Sequence, residues 1–229
     1  MSHYKIGVIV DNPADYEVDD ILAPYSENLA VEPYIGNTKE QLIEYAKCVN
    51  THLEEWNLLS DEERYKKYIE TYEITVDEDG NEITTYNPNS KYDYYTIYDD
   101  EPLSILKSKV KTISSKEIKK YKKIWDWFNS DEEDTDDDDI MDYTFWRKSY
   151  YLDRYKDFET FLRVEHYFDS GMPYAIVDKN SWYAFGEVGW FGCDDTDRDT
   201  INKYIDFVYD YLEKKENNNK YIVWVDCHI

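Results

Sequence analysis

The sequence has little of what breaks or cross-links a chain. Seven glycines and six prolines in 229 residues are too few for a linker or a low-complexity chain. Three cysteines, an odd number, do not make the framework of a secreted disulfide scaffold, so the expected setting is a reducing cytoplasm. No apolar run approaches the roughly 18 residues that a membrane span needs. The first such run, Tyr4 to Val10, is also too short for a signal-peptide core. Positive charge is scarce: 26 Lys and Arg stand against 51 Asp and Glu, a net charge of −25. Nucleic acid and anionic membrane surfaces repel such a polyanion, which argues against direct binding to either. A basic protein is the natural counterpart.

Acidity of this order often accompanies disorder, but disordered chains are poor in aromatic residues. This chain is 17 % aromatic, with 25 Tyr and 7 Trp. That is apolar material enough for a core, and one domain over residues 1–229 is the expectation. Tyr4 to Val10 reads as a buried strand ended by Asp11-Asn12-Pro13. A short helix is expected from Tyr16 to Ala23, and an extended piece from Leu29 to Tyr34. Thr38 with Gln41, Ser60 with Glu63 and Ser114 with Glu117 have capping-box spacing. They predict helices over Thr38 to Leu59, Ser60 to about Thr71 and Ser114 to Phe128. The last carries Lys116, Lys119, Lys120, Lys122 and Lys123 around its apolar stripe.

Two β-rich runs, Tyr72 to Val76 and Glu82 to Tyr86, flank Asp79-Gly80 and predict a hairpin. Lys91 to Tyr98 reads as extended. Tyr143 to about Phe168 reads as one long helix with Phe145, Trp146, Tyr150, Leu152, Tyr155, Phe158, Phe161 and Leu162 on a wide apolar face. Tyr174 to Val177 and Ser181 to Phe185 predict a second hairpin. Thr196 and Asp199 are expected to open a last helix, and Tyr221 to Asp226 to form a last strand. Strands and helices do not alternate regularly. The expected class is therefore α+β, with a mainly antiparallel sheet, N- and C-terminal strands and several packed helices.

Three stretches carry a resemblance. Leu22-Ala23-Pro24-Tyr25-Ser26-Glu27-Asn28 leads into Val31-Glu32-Pro33-Tyr34. Tyr86-Asn87-Pro88-Asn89-Ser90-Lys91-Tyr92-Asp93-Tyr94-Tyr95 follows. Gly189-Trp190-Phe191-Gly192 and Val225-Asp226-Cys227-His228-Ile229 close the chain. In this order they resemble a family of uncharacterised proteins carried by bacteriophages and prophages. Relatives usually have Trp at the places of Tyr92 and Tyr94, then a Gly-Gly-Arg-Trp element. Here Ile97-Tyr98-Asp99-Asp100 stands instead. The resemblance implies a setting, a phage accessory gene acting inside a bacterial host cell, and no activity.

Metal and catalytic chemistry find little support. Cys48 and His52 share a helix face, and Cys193, Cys227 and His228 could join them by folding. No Cys-x-x-Cys or His-x-x-x-His pair anchors such a set. An EF-hand loop counted from Asp131 has Asp136 at its sixth position and Asp142 at its twelfth, where Gly and Glu are required. No nucleophile-elbow, P-loop or dinucleotide-binding glycine motif is present. In Asp226-Cys227-His228, strand alternation points the thiol away from both neighbours. No metal and no cofactor are expected.

The partner-binding residues are expected in two acidic surfaces. One combines rings and carboxylates: Tyr92, Asp93, Tyr94, Tyr95, Asp99 and Asp100. Its composition suits a basic groove built for nucleic acid, and it fits an amphipathic edge strand equally well. The other is Asp131, Glu132, Glu133, Asp134, Asp136, Asp137, Asp138 and Asp139, in an exposed loop over 129–142 beside the lysine-rich helix. The expected function is an anti-defence inhibitor in the manner of an anti-CRISPR protein. It would bind a basic, nucleic-acid-binding host defence effector by partial nucleic-acid mimicry. The alternatives are a small counter-defence enzyme acting on a nucleotide signal through His166, Asp226 and His228, and a virion or assembly component.

Overall fold

The computed structural model describes residues 3–49, 56, 58–133, 135–186 and 196–229, with the side chains of Asp15 and Tyr16 undescribed. In chain order the elements are β1 (His3–Val10), α1 (Asp15–Leu22), β2 (Tyr34–Ile35), α2 (Lys39–Cys48), α3 (Asp61–Thr71), β3 (Ile83–Thr84) and β4 (Tyr94–Pro102). Then come α4 (Leu103–Lys111), α5 (Ser115–Phe128), α6 (Asp138–Met141), α7 (Lys148–Tyr155), α8 (Phe158–Asp169), β5 (Ala175–Asp178), β6 (Ser181–Ala184), α9 (Arg198–Glu213) and β7 (Tyr221–His228). The chain divides into two compact units, Met1–Pro24 with Tyr92–Ile229, and Tyr25–Lys91.

The larger unit is built on a five-stranded sheet in the order β4-β7-β1-β5-β6. The fold is α+β, and the sheet is mainly antiparallel with the N- and C-terminal strands side by side. His3 faces His228, and Val10 faces Tyr221. One pairing is parallel, β1 with β5, with Ile6 opposite Ala175. Ile6 to Val10 are all buried. Ile9 joins Ile222, Trp224 and Ile176 in the core shared with the helices. On the opposite side, α1 packs on β1 and β5 and buries Val18 and Leu22. Covering both faces is what a continuous apolar strand requires.

The helical core holds Tyr121, Ile124 and Phe128 of α5, Phe161 and Val164 of α8, and Ile201, Ile205 and Val208 of α9. The expected long helix from Tyr143 to Phe168 is two helices. Lys156 takes a positive φ of 61° and stops α7. Asp157 then caps α8 by accepting the Thr160 amide at 2.7 Å. A capping carboxylate and a positive-φ residue outweigh a continuing apolar stripe. Residues 143–147 lie outside any helix. The last helix is capped by Asp197, which accepts the Thr200 amide at 2.9 Å, rather than by Thr196 and Asp199.

In the smaller unit, α2 packs on α3, and Leu42, Ala46 and Tyr65 are buried. Both expected capping boxes form. The predicted helix beyond Cys48 runs into residues 50–55 and 57, outside the described residues. The predicted hairpin is reduced to one bridge, Val76 with Glu82. Ile83 and Thr84 pair instead with Ile35 and Tyr34. The turn between them is organised by Asp77, whose Oδ1 accepts the amides of Asp79 and Asn81. Gly80 there has a φ of 85°, a conformation glycine adopts without penalty.

Candidate partner-binding groove

The acid–tyrosine segment is the edge strand β4, and much of it serves the fold. Tyr92 does not belong to a binding surface. It is 4 % exposed, and its hydroxyl donates to the Leu22 carbonyl at 3.1 Å. Asp93 Oδ1 lies 2.9 Å from His228 Nδ1, and the Tyr94 ring stacks on the same imidazole at 4.2 Å. Tyr95 donates to Asp19. A bulge between Ile97 and Asp99 shifts the register against β7. Asp99 and Asp100 remain exposed. A bulge followed by carboxylates is how natural sheets keep an edge from recruiting foreign strands.

At this end of the sheet His3 and His228 meet edge to face at 4.8 Å, and His3 is 3.0 Å from Asp226. The His228 Nε2 is buried without a partner among the described residues. Lys5 donates to the Gly171 carbonyl at 2.7 Å and lies 3.7 Å over the Trp224 ring. Burial lowers its pKa. Partial burial, with Asp226 and Asp99 nearby, pushes the Tyr98 hydroxyl up to about 12. Cys227 faces the other way, is fully buried, and burial pushes its thiol up, away from the thiolate form that nucleophilic chemistry uses. His166 pairs instead with Glu117 Oε1 at 3.0 Å. Among the described residues no group of three or more His, Cys, Asp or Glu side chains converges as a metal site. His52 and Cys193 lie outside those residues.

The second acidic segment is not uniform. Lys123 pairs with both Asp137 and Asp139. The Lys123 ammonium in turn holds the Asp137 carboxyl below its usual range. Asp137 also caps α6 by accepting the Asp139 amide. The neighbouring lysine-rich helix therefore neutralises part of the run, and Asp138 to Met141 is a helical turn rather than loop. Asp131, Glu132, Glu133, Asp136 and Asp138 are exposed and make no ion pair among the described residues. Asp134 lies outside them.

The exposed carboxylates border a groove of about 510 Å³. Asp131, Glu132 and Glu133 form one wall, and Phe145, Trp146 and Arg147 the other, with Trp127, Ser130 and Lys148 between. Lys148 builds it. Its ammonium donates to the Ser130 carbonyl and hydroxyl, both at 3.1 Å, and to the Glu132 carbonyl. It also lies 4.2 Å over the Trp127 ring. The start of α7 is thus tied to the acidic segment. Phe145 and Trp146, expected on a core-facing helix, are 81 % and 52 % exposed. They meet edge to face at 5.0 Å. Trp146 stacks on Tyr150 at 5.1 Å, and the Arg154 guanidinium lies 4.9 Å over Tyr150. Sequence reading found the acid of this site and missed its aromatic half. The signal was Phe145-Trp146 two residues ahead of Lys148, where the run lacks a helical start.

Among the described residues no helix is long and apolar enough to cross a membrane. Comparison with protein-family models, with curated proteins and with solved structures gives no match for this chain.

Proposed function

We propose that this chain is an acidic interaction protein that docks on a basic, nucleic-acid-binding host protein and occupies the surface that otherwise holds phosphates. The observation that carries the reading is the groove. Two large aromatic side chains stand exposed beside three exposed carboxylates, the combination of anchor and charge that interface hot spots use. A net charge of −25 adds long-range steering toward a cationic partner. The setting, a phage accessory protein in a bacterial cell, rests on the resemblance carried by residues 22–34, 86–95, 189–192 and 225–229, of which 189–192 lie outside the described residues.

Duplex DNA presents about one charge per 1.7 Å. With Asp137 and Asp139 paired to Lys123, the 131–139 run does not reach that density alone. The mimicry therefore combines this run with exposed acid elsewhere on the chain. The test is capture of host proteins by the tagged chain at low salt, followed by competition with duplex DNA. The expected result is a nucleic-acid-binding protein that is released as salt rises from about 0.1 M to about 1 M, where the screening length falls from about 10 Å to about 3 Å. DNA should displace the chain from it. A salt-insensitive complex, or one that DNA leaves intact, overturns the proposal.

A further inference from the structure

We infer that the groove between Asp131–Glu133 and Phe145–Trp146 receives an arginine-bearing peptide segment of the partner, with the guanidinium stacked on the aromatic pair and a peptide carbonyl accepting from Trp127. This deepens the proposed function and rests on it. Three observations converge. First, Trp127 lines the groove and is 6 % exposed. Its indole N–H is buried without an acceptor among the described residues. Buried donors are almost always satisfied, so this one gains an acceptor when the side chains over it part to admit an oxygen. A backbone carbonyl supplies such an oxygen without adding negative charge to an acidic site.

Second, Phe145 and Trp146 are exposed and continue a ladder in which Tyr150 already carries the guanidinium of Arg154. Planar guanidinium stacks on aromatic faces, and an ammonium does so less well. Third, Asp131, Glu132 and Glu133 supply the countercharge. Two cations line the groove, Arg147 and Lys148. Lys148 is held by the Ser130 and Glu132 carbonyl oxygens and by the Ser130 hydroxyl, and among the described residues neither pairs with a carboxylate. The three acids are left for an incoming cation.

The test uses the full chain labelled with ¹⁵N at its tryptophan indoles. It is titrated with three blocked Gly/Ser peptides that differ at one central position: arginine, lysine or citrulline. The arginine peptide should move the Trp127 and Trp146 indole resonances and bind with a dissociation constant no weaker than about 1 mM. Lysine should bind about threefold more weakly, and citrulline, which keeps the shape and loses the charge, at least about tenfold more weakly. The double variant Phe145→Ala, Trp146→Ala should lose the arginine preference while staying folded, its thermal melt lowered by no more than a few degrees, since Phe145 is 81 % exposed and Trp146 gives up chiefly its stacking on Tyr150. Equal binding of arginine and citrulline, an unmoved Trp127 resonance, or no binding of any peptide overturns the inference. If it fails in one of these ways while a captured basic partner still responds to salt and DNA, the proposed function stands without it. If both fail, both are wrong.

Discussion

Lys148 is the test of whether the groove is a built feature. Replacing it with Met keeps the aliphatic stem and removes the ammonium. Three hydrogen bonds are lost, to the Ser130 carbonyl and hydroxyl and to the Glu132 carbonyl, along with the contact over Trp127. A well-buried hydrogen bond to a charged group contributes roughly 1.5–3 kcal/mol. Lys148 is half-buried, so water replaces part of what is lost, and about 2 kcal/mol for the whole set is the reasoned figure. For a unit of this size that lowers the melting temperature by about 4–8 °C. Thermal melts followed by circular dichroism measure it. Amide exchange should show Ser130 to Glu133 losing protection before the sheet does. Binding gives a second readout. The variant carries one more net negative charge, so if charge alone held a basic partner, affinity would rise. If the shape of the groove matters, affinity falls. A melt shifted by less than about 1 °C, or a tighter complex, refutes the reasoning.

Other outcomes follow from the core and its ends. A Cβ at Gly7 would sit 2.2 Å from Ile222 Cδ1 and 2.8 Å from its Cγ1, so Gly7→Ala should cost about 1–3 kcal/mol in urea unfolding. Ile222→Val, which removes Cδ1, should restore part of that in the double variant. Lys156→Gly should raise stability by about 1 kcal/mol by relieving the positive φ; the exposed pair with Asp199 gives up little. Hydrogen bonds from Ser114, helped by His166, hold the Glu117 carboxyl below its ordinary value. Its contribution is therefore present above the unfolded glutamate pKa of about 4.3 and is lost as pH falls through the lower folded value. Glu117→Gln should flatten the acid limb of the stability curve, and an unchanged limb would show that this pair is not what acid breaks.

What could be read from the sequence was local. Thr38 with Gln41, Ser60 with Glu63 and Ser114 with Glu117 each announced a helix start that forms, because the capping interaction closes within four residues. The β5–β6 hairpin was legible for the same reason, through Asp178, whose Oδ1 accepts the amides of Asn180 and Ser181. The parallel pairing of β1 with β5 was not, since its partners are far apart in sequence and no local residue encodes it. Helix α4 went unread although Leu103, Leu106 and Val110 mark its buried side. The groove was half legible. Charge is visible in a sequence wherever it ends up, but the exposure of Phe145 and Trp146 depends on where α7 begins. That start is set by Lys148 reaching back to Ser130, a contact between distant turns.

The most direct measurement is the salt dependence of binding between this chain and its captured partner, compared with the triple variant Asp131→Asn, Glu132→Gln, Glu133→Gln. The account predicts that the native complex weakens steeply with salt, and that neutralising the groove's acid wall both weakens it and flattens the slope. Undiminished affinity and an unchanged slope in the triple variant would contradict it.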